Sequence, residues 1–576
     1  MKLEMHTSLA LLCFGAPLVH ALTVGEIVNT TSGPVKGYAG KDVSSVSVYK
    51  GIPFAQPPVG SLRFQPPVRY NGTEMIDAKD YGYACMGILH LAGRGNDIYK
   101  YNVSFANLTT QGIETLQQVD QVTGTFSEDC LSINVWAPTG GEANKATMVY
   151  FYGGGFTAGS SQVNTYDGQR LASQEDVIIV NFNYRVNIFG FHGNPAATSR
   201  NPGFLDQRMA VEWVRDNIAA FGGDPARITF FGQSAGSASI DYYSYAWASD
   251  PIAAGFIMES GAAGFGKPPA PDNAEMWYNV SRALDCGDSS NNRTDPDKLL
   301  ECMQSKSTAD IMEAMGTQGF GPTADGVTAF SDYASLGRAG KFAQIPTLLG
   351  NNDFEAGVFI AMDALNNQSF PHEYWEHFSN ATFACPAASR ANVSYGAGAP
   401  VWRYRWFGNF PDTRLYTDPD SGAYHGSEMP FIFDTQNAGE GIPALTEAEV
   451  SITSYMRKAW TTFAKTHDLS NYGGGGGAGG GGWPLFDPYK ATLIRLAYNN
   501  VTGPNVAHSM IYDAYCNATY PVAQRSGKGN NSAAASSGSG SQPGHVGLSG
   551  AVAFARDVGG VAAVSLLSAV VAVWLI

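Results

Sequence analysis

The sequence predicts an α/β fold, a central and mostly parallel sheet flanked by helices, and three observations carry that expectation. The runs "ATMVYFYGGG", "DVIIVNFNYR", "RITFFG", "GFIMESG" and "IPTLLGNN" are apolar without alternation and lie near glycines. Strands that are apolar on both faces belong in a parallel sheet covered on each side. The stretch "LDQRMAVEWVRDNIAAFGG" sets Leu205, Met209, Trp213 and Ile218 on a helical period and stops at Gly222-Gly223, which supplies a covering helix. Finally, no Pro/Gly/Ser-rich linker interrupts the strand series before Ser526, so residues 22–525 read as one long domain.

The two ends read as addresses rather than as fold. "MKLEMHTSLALLCFGAPLVHA" joins Lys2 to an apolar run from Leu9 to Val19 and a cleavage-like Val19-His20-Ala21, so residues 1–21 are expected to be a secretory signal. That run is too short to span a bilayer. Residues 526–550 are rich in Ser, Gly and Ala and suit a solvated stalk. Residues 551–576 contain an uncharged stretch, Val558 to Ile576, beyond the small residues Ser549-Gly550-Ala551. This combination is expected of a GPI-anchor signal, with a plain transmembrane anchor as the alternative. Within the domain, "GGGGGAGGGG" from Gly473 to Gly482 separates two stretches that read as ordered and is expected to be a flexible surface insert.

Twelve N-x-[ST] sequons, beginning at Asn29, Asn71, Asn102 and Asn107, agree with export. Of the seven cysteines, Cys13 lies in the signal; the other six are an even set that suggests disulfides, with fifteen possible pairings. The formal charge of −15 and the lack of a basic patch argue against nucleic acid and against an anionic membrane surface as partners.

The chemistry centres on "FFGQSAGSAS", which sets Ser234 between Gly232 and Gly236. In a chain this rich in glycine and serine, G-x-S-x-G is expected roughly 0.6 times by accident, so the motif alone decides nothing. Its context does: Ser234 follows the strand-like "RITFFG" and precedes the helix-compatible "AGSASIDYYSYA". A hydroxyl at that turn sits where helix N–H groups favour developing negative charge. Acyl transfer also needs donors aimed at a tetrahedral oxyanion, and "FYGGGF" offers the side-chain-free N–H groups of Gly154 and Gly155 beside that of Ala235.

The blocks "YKGIPFAQPPVGSLRFQPP", "SEDCLSINVWAP", "YGGGF", "NYRVNIFGF", "NPGFLDQRMAVEWVRDNIAAFGGDPARITFFGQSAGSAS" and "WPLFDP" together resemble the type B carboxylesterase family, in the family's order and over most of the mature chain. Cholinesterases and some secreted lipases share that family. The resemblance implies an α/β-hydrolase fold and a serine carboxylic-ester hydrolase working through an acyl-enzyme on small neutral esters, with no cofactor and no metal. Its acid block matches "LLGNNDFEAG" at Gly350, Asn352 and Glu355, which makes Glu355 the expected acid and Asp353 its rival. Its histidine block matches "YHGSEMPFIF", which points to His425 as the base that takes the Ser234 proton. The resemblance further implies disulfides Cys85–Cys130, Cys286–Cys302 and Cys385–Cys516, each able to stabilise the fold by about 3 to 5 kcal/mol. Arg63 with Glu128 and Arg185 with Asp206 resemble the family's structural ion pairs.

Two departures from the family pattern bear on the site. Glu355 and His425 lie unusually close in sequence, so shortened helices and a more open pocket are expected. Gln233 also stands where the family commonly carries a glutamate, which removes a charge beside the nucleophile. The segment from Cys85 to Cys130 contains no Trp to hold a quaternary ammonium. Three rival readings stand against this one. "HEYWEH", from His372 to His377, spaces its histidines by five and does not fit a zinc-protease face. A silent adhesion protein of the same family is disfavoured by the presence of Ser234, Glu355, His425 and both glycines. A lipase with the Cys85–Cys130 loop as lid is the alternative among enzymes, although "TLQQVDQVTG" makes that loop polar. The expected setting is extracellular, with membrane attachment only through the C-terminal anchor.

Overall fold

The computed structural model describes residues 22–516 except 89–106, 120–124, 142, 264–273, 289–294, 366–367, 437–439, 474–481 and 504. The expected signal (1–21), stalk (526–550) and anchor segment (551–576), most of the polyglycine insert and the sequon at Asn102 therefore lie outside the described residues.

A single sheet organises the chain. In chain order its strands are β1 (Tyr38–Ala39), β2 (Val46–Pro53), β3 (Ser132–Pro138), β4 (Lys145–Phe151), β5 (Ile178–Phe182), β6 (Gly223–Gln233), β7 (Gly255–Glu259), β8 (Thr347–Asn352), β9 (Val401–Trp406), β10 (Ala491–Leu496) and β11 (Asn505–His508). Their spatial order is β11-β10-β9-β8-β7-β6-β4-β5-β3-β2-β1. The strands from β10 through β5 run parallel, and antiparallel strands close both edges. The five apolar runs become β4 to β8 in order, and β4, β5, β7 and β8 are buried at every position. Burial on both faces is the physical reason these strands do not alternate.

The helices that position the site are α1 (Thr110–Val119), α2 (Pro202–Asn217), α3 (Ala235–Ala246), α4 (Gly357–Leu365), α5 (His372–Ser379), α6 (Cys385–Ala397), α7 (Met429–Phe433) and α8 (Glu447–Thr466). Helix α2 contains the predicted covering helix but begins earlier, with Pro202 in its first turn, where a missing N–H costs nothing. It ends at Asn217, passes through a 3-10 turn and stops at Gly222, whose φ of 84° favours glycine. A capping box between Thr446 and Glu449 starts α8, and its Trp460 is fully buried in the main core.

Disulfides Cys85–Cys130, Cys286–Cys302 and Cys385–Cys516 join positions 45, 16 and 131 apart. The first closes the segment that carries α1. Two buried arginines make forked pairs: Arg63 with Glu128 at 2.7 and 2.6 Å, and Arg185 with Asp206 at 2.8 and 2.7 Å. Removing one partner of such a pair strands a buried charge, at about 3 to 5 kcal/mol. With the frame fixed this way, the C-terminal ends of β4, β6 and β8 converge, which is where open parallel sheets bind ligands.

Candidate active site

Ser234 sits in the turn between β6 and α3 with φ 60° and ψ −126°, a conformation that side-chain-bearing residues rarely adopt and that costs of order 1 to 3 kcal/mol. Its N–H donates to the Glu259 carbonyl at the end of β7, at 2.8 Å. The turn closes because α3 begins almost in contact with β4: a Cβ added to Gly236 would lie 1.9 Å from the Phe151 carbonyl oxygen. One added to Gly232 would lie 2.8 Å from the same oxygen. Further along α3, Asp241 is held by Arg390 at 2.6 Å and by the Ala263 N–H at 2.8 Å.

Beyond β4, Gly154 and Gly155 have φ of 119° and 59°, which reverses the chain next to the turn. Gly153 is closer still, since a Cβ there would stand 2.7 Å from that of Ser234. Among the described residues, the N–H groups of Gly154, Gly155 and Ala235 donate to no backbone carbonyl. Three donors are thus left free around one hydroxyl.

His425 Nδ1 lies 2.7 Å from Glu355 Oε2, and the other Glu355 oxygen accepts the Asn352 N–H at 2.7 Å. A carboxylate on Nδ1 sets the imidazole tautomer and leaves the Nε2 lone pair available. Nε2 is buried without a hydrogen-bond partner. Phe359 and Phe383 pack on the ring with centroids 5.4 and 4.4 Å away. Asp353, the rival acid, turns to Arg405 at 2.8 Å. No hydrogen bond joins Ser234 to His425, yet both line one cavity of about 220 Å³, together with Gly154, Gly155 and Ala235. The "HEYWEH" histidines lie elsewhere on α5: His372 pairs with Glu376, and His377 meets the Tyr515 hydroxyl.

A carboxylesterase-family model matches residues 24–381 and 362–511, so it spans every strand that delivers these side chains. The chain belongs to the carboxylesterase family. It is similar to a chlorogenic acid esterase of Aspergillus niger, 32% identical over 459 residues that cover 77% of this chain and 83% of the relative. Similarity to secreted lipase 5 of Gibberella zeae is 30% over 553 residues, covering 87% and 96%. A solved PNB esterase structure superposes with a TM-score of 0.68 at 26% identity, covering 86% of this chain and 99% of the other. The protein is therefore a carboxylic-ester hydrolase with the α/β-hydrolase fold.

Behind His425 this esterase carries two acids that sequence reasoning missed. Asn352 Nδ2 donates both to the Tyr424 carbonyl, at 2.6 Å, and to Glu428, so one side chain ties the Glu355 loop to the His425 loop. Burial, and then the nearby Glu355, push the Glu428 carboxyl up to about 8. Glu259 accepts from Trp460 Nε1 at 2.5 Å, and burial followed by Glu428 raises its carboxyl well above the ordinary range. Burial thus favours the protonated form of both acids behind His425. Available signals were the lone acid in the apolar run "GFIMESG" and the acid three positions after His425.

For Glu428 the folded pKa lies above the unfolded one, so the folded state binds the extra proton between about pH 4.5 and 8. The contribution of Glu428 to stability therefore falls as pH rises across that window and levels off above it. Glu428→Gln keeps the oxygen that Asn352 needs but does not titrate. From pH 4.5 to 8.5 the variant should gain on the native protein by roughly 2 to 5 kcal/mol, read from chemical denaturation curves. Parallel pH dependences would overturn the assignment of a proton to Glu428.

Proposed function

We propose that Ser234 is the nucleophile of an acyl-enzyme mechanism, with His425 as its base, Glu355 as the acid that orients His425, and the N–H groups of Gly154, Gly155 and Ala235 as the oxyanion hole. The observation that carries this reading is the Glu355–His425 bond, which leaves Nε2 unpartnered in the cavity that Ser234 lines. As Ser234 Oγ attacks the ester carbon, Nε2 takes the hydroxyl proton and the carbonyl oxygen becomes an oxyanion held by the three N–H groups. Collapse expels the alcohol, which leaves with the proton from Nε2. Water then repeats the sequence on the acyl-serine and releases the acid. Ser234→Ala should fold and yet lose an aryl-ester kcat/KM by roughly a thousand-fold or more, and an organophosphate should label Ser234 in the native protein. Near-native turnover in that variant would sink the assignment.

The substrates are neutral esters. Gln233 contributes no charge next to Ser234, and no Trp lies between Cys85 and Cys130 to form a cation–π contact worth about 1 to 2 kcal/mol. A choline ester should show a kcat/KM within about ten-fold of its uncharged isostere, since their ratio isolates recognition of the cation. A preference of about a hundred-fold for choline would mean that another aromatic residue holds it.

The enzyme is placed outside the cell, with residues 22–525 as the catalytic domain. Three disulfides and the relative named secreted lipase 5 support that setting. Among the described residues no helix is long and apolar enough to cross a membrane. The uncharged stretch Val558 to Ile576 behind a Ser/Gly-rich segment supports a GPI anchor. Phosphatidylinositol-specific phospholipase C should therefore release the activity from intact cells, whereas retention with Val558 to Ile576 still in the protein would favour a spanning segment.

A further inference from the structure

Helix α1, inside the Cys85–Cys130 segment, has two unlike faces. Leu116 and Ile113 pack with Val358, Leu415 and Tyr424. The helix lies tight against the body, for a Cβ on Gly112 would fall 2.2 Å from the Leu415 carbonyl oxygen. Gln111, Thr115 and Gln118, spaced by four and three, share the opposite stripe and line the cavity of Ser234 and His425.

This stripe keeps hydrogen-bonding capacity in reserve. Gln111 Nε2 donates to the Thr115 hydroxyl at 3.1 Å, while Gln111 Oε1 is buried with no partner. Gln118 Oε1 accepts from the Thr165 hydroxyl at 2.9 Å, which leaves its amide N–H groups to the cavity. Gln436, also on the lining, uses its amide N–H toward the Thr453 hydroxyl and keeps its oxygen. Asp412 lines the cavity as well, and is only 3% exposed. Burial, then a hydrogen bond to Glu449, push its carboxyl up to about 8, which favours the uncharged form. Among the described residues no Lys or Arg lines the cavity. The wall therefore presents neutral donors and acceptors and repays neither an ammonium nor a carboxylate for its lost hydration.

The position of the wall says which half of the ester meets it. Leu116 of α1 packs in one cluster with Tyr424, the residue before His425, and a Cβ on Gly426 would lie 3.6 Å from Gln233 Nε2. The wall thus stands on the His425 side, and a leaving alcohol must face the histidine that protonates it. Next to the oxyanion glycines the lining is aromatic, with Phe156 and Tyr242 packed against Phe204, as it also is directly on His425, where Phe359 and Phe383 line the cavity.

We propose that the α1 wall is the leaving-group subsite for neutral polyhydroxylated alcohols, with Gln111, Gln118 and Gln436 exchanging hydrogen bonds with the alcohol's free hydroxyls. The proposal rests on the Ser234–His425 reading above. A buried site built to pair a substrate hydroxyl discriminates against the analogue that lacks it, by about ten-fold for each well-placed bond. The test compares 1-monobutyrin with propyl butyrate on the full-length enzyme, because the two share acyl group and ester and differ by two hydroxyls. Monobutyrin should have the higher kcat/KM by about ten-fold or more, and Gln118→Leu and Gln111→Leu should each lower that ratio by about ten-fold. Both esters are measured on one preparation, so the ratio does not depend on the fraction folded, and Gln436→Leu on a separate segment gives an independent variant. A native ratio near one, or a ratio unmoved in all three variants while both esters are still cleaved, would overturn the subsite. A preference that follows hydroxyls moved to the acyl chain would overturn its placement. Failure of the catalytic reading looks different, since Ser234→Ala would then cleave both esters.

Discussion

The site depends on one steric constraint, the near-contact between the start of α3 and the end of β4. With no side chain at Gly232 or Gly236, backbone meets backbone at the Phe151 carbonyl, and the turn between β6 and α3 has no room to relax. The positive φ of Ser234 follows from that closeness, and its strain is carried by the parallel sheet on either side. The same closeness brings the glycines after β4 under the hydroxyl. The proposed nucleophile and its proposed oxyanion donors are therefore positioned by a single packing contact.

Charge is managed as strictly as shape. Low-dielectric surroundings strengthen every interaction around His425, including any unwanted one. Burial favours the protonated form of Glu259 and of Glu428, with Glu428 adding to the effect on Glu259 and Glu355 adding to that on Glu428. Asn352 makes the arrangement specific. Its backbone N–H and its side-chain amide serve different carboxyls, so Glu355 is fixed from one side and Glu428 from the other.

Much of this was legible in sequence because it is local. A strand buried on both faces must be apolar throughout, so "DVIIVNFNYR" yields β5 without knowledge of its neighbours. Ser234, Glu355 and His425 could be named because each lies in a short block, and the structure gathers them at one edge of the sheet. Boundaries were less legible: Gly223 reads as part of a helix stop, yet it begins β6 beside Lys145. Least legible were features made by distant partners. Glu259 meets Trp460, Asp412 meets Glu449, and the stripe on α1 acquires meaning only where it faces the cavity. Nothing local distinguishes such residues from solvated ones.

A comparison of the two sides of the cavity explains why an esterase with a conventional nucleophile could still be selective. In the proposed mechanism, chemistry at the carbonyl is set by backbone groups and one imidazole, which act on any ester alike. Selectivity must come from surfaces that the carbonyl does not touch. Here one such surface is aromatic and the other is a row of uncharged amides and hydroxyls on a helix closed in by a disulfide. Because α1 packs against Tyr424 through Leu116, the segment proposed to recognise the alcohol is also attached to the segment proposed to deliver the proton. A leaving group seated on the proposed α1 subsite would thereby be seated against His425, so that binding energy gained from its hydroxyls would be realised where the bond to carbon breaks.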